Sequence, residues 1–112
     1  MPTIAQLRNI ALSFPESLEA PHFDNTSFRV KKKIFATYNA NTGQACIKLS
    51  EQDQDLFCIA APGVIFPVEN KWGKQGWTLI ILKKVKSDLL KQALKTAYCN
   101  VAPAKLAALV SK

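Results

Sequence analysis

Seven consecutive residues, Lys71-Trp72-Gly73-Lys74-Gln75-Gly76-Trp77, set two indole rings, two ammonium groups and two glycines into one short stretch. Cations beside flat aromatic faces are what proteins present to unstacked bases, where the charge meets phosphate and the ring stacks. Glycines permit unusual φ, and backbone N–H groups in such loops can also bind anions. A second cluster joins Arg29 to Lys31, Lys32 and Lys33. Lysines on a projecting tip would release counterions from phosphates, giving salt-sensitive affinity with little regard for sequence. Plainer explanations stand beside both. Charged turns keep a protein soluble; Trp77 opens an apolar strand and fits a core position, and Trp72 could fold back over the sheet edge as a lid.

Catalytic chemistry has thin support. His22 is the sole histidine and sits beside Pro21 in a polar segment. Cys46, Cys58 and Cys99 are an odd number at wide spacings, with no CxxC pair, so neither a disulfide framework nor a zinc site is expected. Their surroundings read as those of small buried hydrophobes. Asp53 and Asp55 are explained by the charge preference of a helix start. No P-loop, GxGxxG or GxSxG is present. The expectation is a protein that is not an enzyme and uses no metal or cofactor.

The chain has 112 residues and a formal net charge of +7. That length predicts a single domain over residues 1–112. Its charge is unevenly spread: residues 1–25 carry −2, 26–50 carry +5, 51–70 carry −4 and 71–112 carry +8. Two basic blocks thus flank an acidic one. The uncharged run Phe57–Val68 is broken by Pro62, Gly63 and Pro67 and cannot span a bilayer. The first residues lack a basic region before an apolar one, so a cytoplasmic location is expected.

These residues must be held by elements that periodicity locates. Thr3 with Gln6 fits a capping box, and Ile4, Leu7, Ile10, Ala11 and Phe14 recur at helical spacing until Pro15. Residues 15–25 read as a connecting loop. From Ser27 the period becomes two, predicting strands joined near Lys31-Lys32, where Asn or Gly would be the usual turn residues. Asn39 to Gly43 is a better turn signal and leads into a strand over 45–49. Ser50 starts a second helix that ends at Pro62-Gly63; Val64-Ile65-Phe66 and the run from Trp77 to Leu82 read as strands, the latter central. Ser87 is expected to cap a long helix with an apolar stripe from Leu89 to Val101, and Pro103 to start a short helix over 104–110. The order α-β-β-β-α-β-β-α predicts an α+β two-layer sandwich, with helices on an antiparallel sheet of about five strands.

Leu12-Ser13-Phe14-Pro15-Glu16, Ser27-Phe28-Arg29-Val30 with Lys33-Ile34-Phe35-Ala36, Pro62-Gly63-Val64, and Trp72 through Thr78 occur in that order. Together they resemble the MmcQ/YjbR family of small bacterial proteins over nearly the whole chain. The resemblance implies an α+β fold like that of secretion chaperones and CyaY-like proteins, and a DNA-binding role through a double-wing arrangement. It supplies no catalytic residues. Family members often have glycine in the turn where this chain has Lys31 and Lys32, so the tip is more basic here and its geometry open.

The expected function is therefore non-enzymatic nucleic-acid binding, with DNA the first candidate. It would use Arg29, Lys31, Lys32 and Lys33 from one hairpin and Lys71, Trp72 and Lys74 from the later loop, in a monomer or weak homodimer. The competing expectation is a protein- or peptide-binding adaptor whose acidic segment 51–70 meets a basic partner. A third is a small-ligand or anion site beside Trp72 and Trp77.

Overall fold

A computed structural model describes residues 3–23 and 25–110. Helix α1 (Ile4–Leu12) opens on the expected capping box: the Gln6 amide donates to the Thr3 hydroxyl at 3.3 Å and the Thr3 amide donates to Gln6 Oε1 at 2.8 Å. Strands β1 (Ser17–His22), β2 (Asn25–Val30), β3 (Lys33–Asn39) and β4 (Gln44–Lys48) follow as a meander. Next come α2 (Glu51–Ala60), β5 (Ile65–Pro67), a four-residue helix α3 (Lys71–Lys74), β6 (Trp77–Ile81), α4 (Ser87–Val101) and α5 (Ala104–Val110). All pairings are antiparallel, in the order β1-β2-β3-β4-β6-β5.

The fold is the expected α+β sandwich with one strand and one short helix more. The extra strand is β1, within the segment expected to be a loop. Its residues Ser17, Leu18, Glu19, Ala20, Pro21 and His22 show no clean alternation of burial, because it lies at the sheet edge with one side unpaired. Pro21 is compatible with that position, since an edge strand need not donate from every amide. The loop carrying Trp72 closes into a helical turn, with Asn70 Oδ1 accepting from the Trp72 amide at 2.9 Å. Ser50 caps α2 as expected, accepting from the Asp53 amide at 3.1 Å. Ser87 does not cap α4: it is the first helical residue, and Lys86 holds the cap position without a side-chain bond.

One face of the sheet carries the core. Leu7 and Ala11 of α1, Leu90, Ala93, Leu94 and Ala97 of α4, and Phe28, Val30, Ala45, Ile47 and Ile80 of the sheet are buried together. Phe14, Phe35 and Tyr98 form an aromatic cluster, with Phe35 edge-on to Tyr98 at 5.5 Å between ring centroids. Tyr98 Oη donates to the Pro15 carbonyl at 2.6 Å, fixing the chain where α1 gives way to β1. Strand β3 departs from strict alternation: Phe28 pairs with Ala36 but Arg29 with Ile34, leaving Phe35 as an extra residue. This β-bulge sends both Phe35 and Ala36 into the core and turns Ile34 to the opposite face.

Among the described residues, no helix is long and apolar enough to cross a membrane.

Candidate functional site: the open sheet face and its basic rim

The register fixes which residues share the face opposite the core. Leu18, Ala20 and His22 of β1 lie beside Asn25, Ser27 and Arg29 of β2; Ile34 and Thr37 of β3 lead to Cys46 and Lys48 of β4, then Trp77 and Leu79 of β6. Among the described residues, α3 is the helix that overhangs this face, at the end where β6 begins. Between it and the strands is a groove of about 320 Å³ lined by His22, Asn25, Ile34, Thr37, Cys46, Val68, Trp72 and Trp77. Apolar walls with a few polar groups are the usual make-up of a ligand site, and this volume lies at the small end of the range.

Trp72 stands over the groove at 50% exposure because α3 is locked beneath it. The buried amide of Gln54, from α2, donates to the Gly73 carbonyl at 3.0 Å, the Trp77 carbonyl at 3.2 Å and the Thr78 hydroxyl at 3.0 Å. Thr78 passes its own proton to the Gly76 carbonyl at 3.0 Å. Lys48 Nζ donates to the Gln75 carbonyl at 2.5 Å and to the Leu49 carbonyl at 3.4 Å. Both glycines of the motif are set by close approach. A Cβ on Gly73 would meet the Val68 carbonyl oxygen at 1.9 Å, and one on Gly76, at φ +103°, the Leu49 carbonyl oxygen at 1.7 Å. The glycines therefore serve close docking of α3, where the sequence read as a loop with freedom of φ. Trp77, expected in the core, is instead half-buried on the open face.

The basic residues occupy the rim. Lys71 Nζ lies 5.9 Å from the Trp72 ring centroid, within cation–π range. Lys71 and Lys74 line a separate cleft of about 530 Å³ with Glu69 and Asn70, on another side of α3. Lys31 and Lys32 form a two-residue turn with φ of +50° and +70°, the left-handed geometry of tight hairpins normally filled by Asn-Gly. Lys31 reaches Glu16 at 2.7 Å, while Lys32 and Lys33 are exposed. By register, Lys33 and Lys48 stand at the same end of the sheet as Trp77, so the hairpin tip and α3 flank one end of the open face. Arg29 is drawn inward: its Nε donates to the Ser27 hydroxyl at 3.0 Å and its guanidinium reaches the Pro21 carbonyl at 3.5 Å.

At the far end of β1, Phe23 is 93% exposed and holds φ +56°. A bulky residue rarely adopts that conformation. Its ring meets His22 edge-on at 4.8 Å. Cys46, inside the groove, has its thiol pushed up from 9.0 to about 11, chiefly by burial, so at neutral pH it is a protonated lining group. Burial raises the Cys58 and Cys99 thiols also. No set of three His, Cys, Asp or Glu side chains is brought together among the described residues.

His22, Phe23, Asn25, Thr37, Cys46, Lys48 and Gln54 were not singled out as groove or support residues by spacing. The groove's walls come from separate strands, so no local pattern announces it. The buried Gln54 left one trace, as an amide on the acidic first turns of α2 at a position where the helix meets the protein.

A family model described as YjbR matches residues 12–100. The chain belongs to the YjbR family. A crystal structure from Deinococcus radiodurans, of a protein with a domain described as DUF419, superposes on this YjbR chain with a TM-score of 0.78 and 24% identity; the match covers 90% of this chain and 79% of that one. This likeness establishes a shared fold. No curated protein matches the chain. In this YjbR protein the Phe14-Pro15 pair serves the aromatic core, and the motif from Trp72 to Thr78 builds the overhang of the groove.

Proposed function

We propose that this YjbR protein is a non-enzymatic nucleic-acid-binding protein, with DNA the first candidate, and that its open sheet face is the binding surface. One observation carries this reading. A half-exposed tryptophan is held rigidly between Lys71 and Lys74, at the same end of an uncovered sheet face as the exposed Lys32 and Lys33. The turn at Lys31 and Lys32 supports it further. Left-handed conformations in residues other than glycine cluster where function over-determines the backbone, and here the strain accompanies a concentration of charge. Lys31 engages phosphate by exchanging Glu16 for it.

If Lys32, Lys33, Lys71 and Lys74 each neutralise one phosphate, log K falls against log salt with a slope of about −3 to −4 on duplex. The test is binding of a labelled oligonucleotide across a salt series, by wild type and by a Lys32→Glu/Lys33→Glu variant. Lys91→Glu/Lys95→Glu, on α4 across the sheet, controls for general loss of charge. A steep slope reduced by about two in the hairpin variant supports the reading. A flat salt response, or an equal loss in the control, removes it.

A separate observation favours a second reading, a peptide-binding adaptor. Leu56 and Ile59 on α2 are 65% and 75% exposed beside Glu51 and Asp55, a surface suited to a basic amphipathic segment. A protein partner retained after nuclease treatment and lost in Leu56→Ser/Ile59→Ser would support it.

A further inference from the structure

The geometry points to the groove beneath Trp72 as a pocket for one unpaired nucleobase, which would make single-stranded or locally unstacked nucleic acid the preferred ligand. This deepens the nucleic-acid reading and rests on it. A duplex offers a protein mainly its phosphates and groove edges. No lysine or arginine lines this groove to pair with a phosphate: its walls are mainly Ile34, Val68, Trp72, Trp77 and Cys46, with His22, Asn25 and Thr37 as the polar groups. A flat heteroaromatic ring finds partners there: it can slide under the exposed Trp72 indole, stack, and turn its edge toward Asn25, Thr37 and His22, which carry hydrogen-bonding groups. The lysines on the rim are then left for the flanking phosphates.

Two features set the pocket apart from an incidental surface dip. Its roof is fixed in place by the Gln54 amide and by two close-packed glycines, so the stacking face is preorganised. At its other end His22 touches Phe23, a nearly bare aromatic ring at a hairpin tip, placed to stack a neighbouring base. Aromatic faces at both ends of a groove with cations at its margin are the arrangement by which sheet surfaces hold single strands.

The test compares three probes in fluorescence anisotropy at one salt concentration: a 12-residue oligothymidylate, an abasic 12-mer with the same phosphates, and a 12-base-pair duplex. The oligothymidylate should bind about tenfold more tightly than the abasic strand, the margin expected of one base–aromatic stack. Trp72→Ala should remove most of that margin by lowering thymidylate affinity toward that of the abasic strand, and Trp72→Phe should restore part of it. Circular dichroism confirms that each variant is folded. Equal affinity for thymidylate and abasic strands would overturn the base pocket and leave the basic rim standing. Failure of all three probes to bind at low salt would overturn the nucleic-acid reading itself.

Discussion

Replacing Gln54 by methionine keeps the length and approximate volume of the side chain and removes its amide. Two N–H protons serve three acceptors in the native protein, so two bonds' worth of interaction is lost. The consequence depends on what the acceptors keep. The Gly73 carbonyl still accepts from the Gly76 amide at 3.1 Å, and the Trp77 carbonyl from the Val68 amide at 3.1 Å. Neither is orphaned, so the penalty falls toward the net value of about 1 kcal/mol per bond and away from the full cost of burying a bare acceptor. The expected loss is about 2 kcal/mol, lowering the urea midpoint by roughly 1 M. Because the amide reaches both Gly73 and the start of β6, the loss should be accompanied by loosening of α3. Tryptophan emission should shift to the red before global unfolding, and amide exchange at Gly73 and Gly76 should quicken. A stability change under about 0.5 kcal/mol would refute the support assigned to Gln54. So would a full loss with unaltered emission and exchange in the native state.

Exchanging Lys31 and Lys32 for Asn-Gly relieves two left-handed lysines at the cost of one exposed ion pair, and should stabilise the protein by about 1–2 kcal/mol. The same variant should bind oligonucleotide more weakly, which thermal melting and anisotropy together will show. Gly73→Ala and Gly76→Ala should each cost more than 2 kcal/mol, on the order of an overpacked site, whereas Gly63→Ala, with nothing within 4 Å of the new Cβ, should cost only about 1 kcal/mol from its positive φ. Denaturant titrations of the three separate contact from conformation. The Cys46 thiol, raised to about 11, should resist iodoacetamide at pH 8 in the folded protein. Its raised value also gives stability that is complete below pH 9 and is lost as pH climbs through about 11, a decline of roughly 2–3 kcal/mol. Cys46→Ala should lack that component; superimposable slopes for the two proteins over this interval would contradict the burial of the thiol.

Elements with a strong internal period were legible in the sequence, and those defined by long-range partners were not. Thr3–Gln6 and Ser50 announced two helix starts because capping is a local exchange between neighbours. Strand β1 escaped notice because an edge strand with Pro21 and mixed burial has no period to read. The alternation expected through Lys33–Asn39 failed at Phe35, where a bulge admits two successive residues to the core. The basic tip and the Lys/Trp segment were visible as composition, and the register does bring them to one end of the sheet. Their roles were less visible. Lys31 has a partner in Glu16, Arg29 lies down on Ser27 and Pro21, and Trp77 shares a groove with Trp72, each through contacts with residues from other elements.

The bond between Tyr98 and the Pro15 carbonyl joins residues 83 apart. Contacts of such separation form slowly, since a long loop must close before any energy is gained. The junction from which β1 departs is thus completed only when α4 docks, and α4 is the penultimate element of the chain. On a ribosome the hairpins of β1 to β4 can pair while α4 is still unmade, but the junction at Pro15 that leads into β1 stays unanchored until the aromatic cluster closes. A chain truncated before Tyr98 would leave that junction and the apolar sheet face beneath α4 without their cover, which makes α4 as much a guard against misassociation as a part of the core.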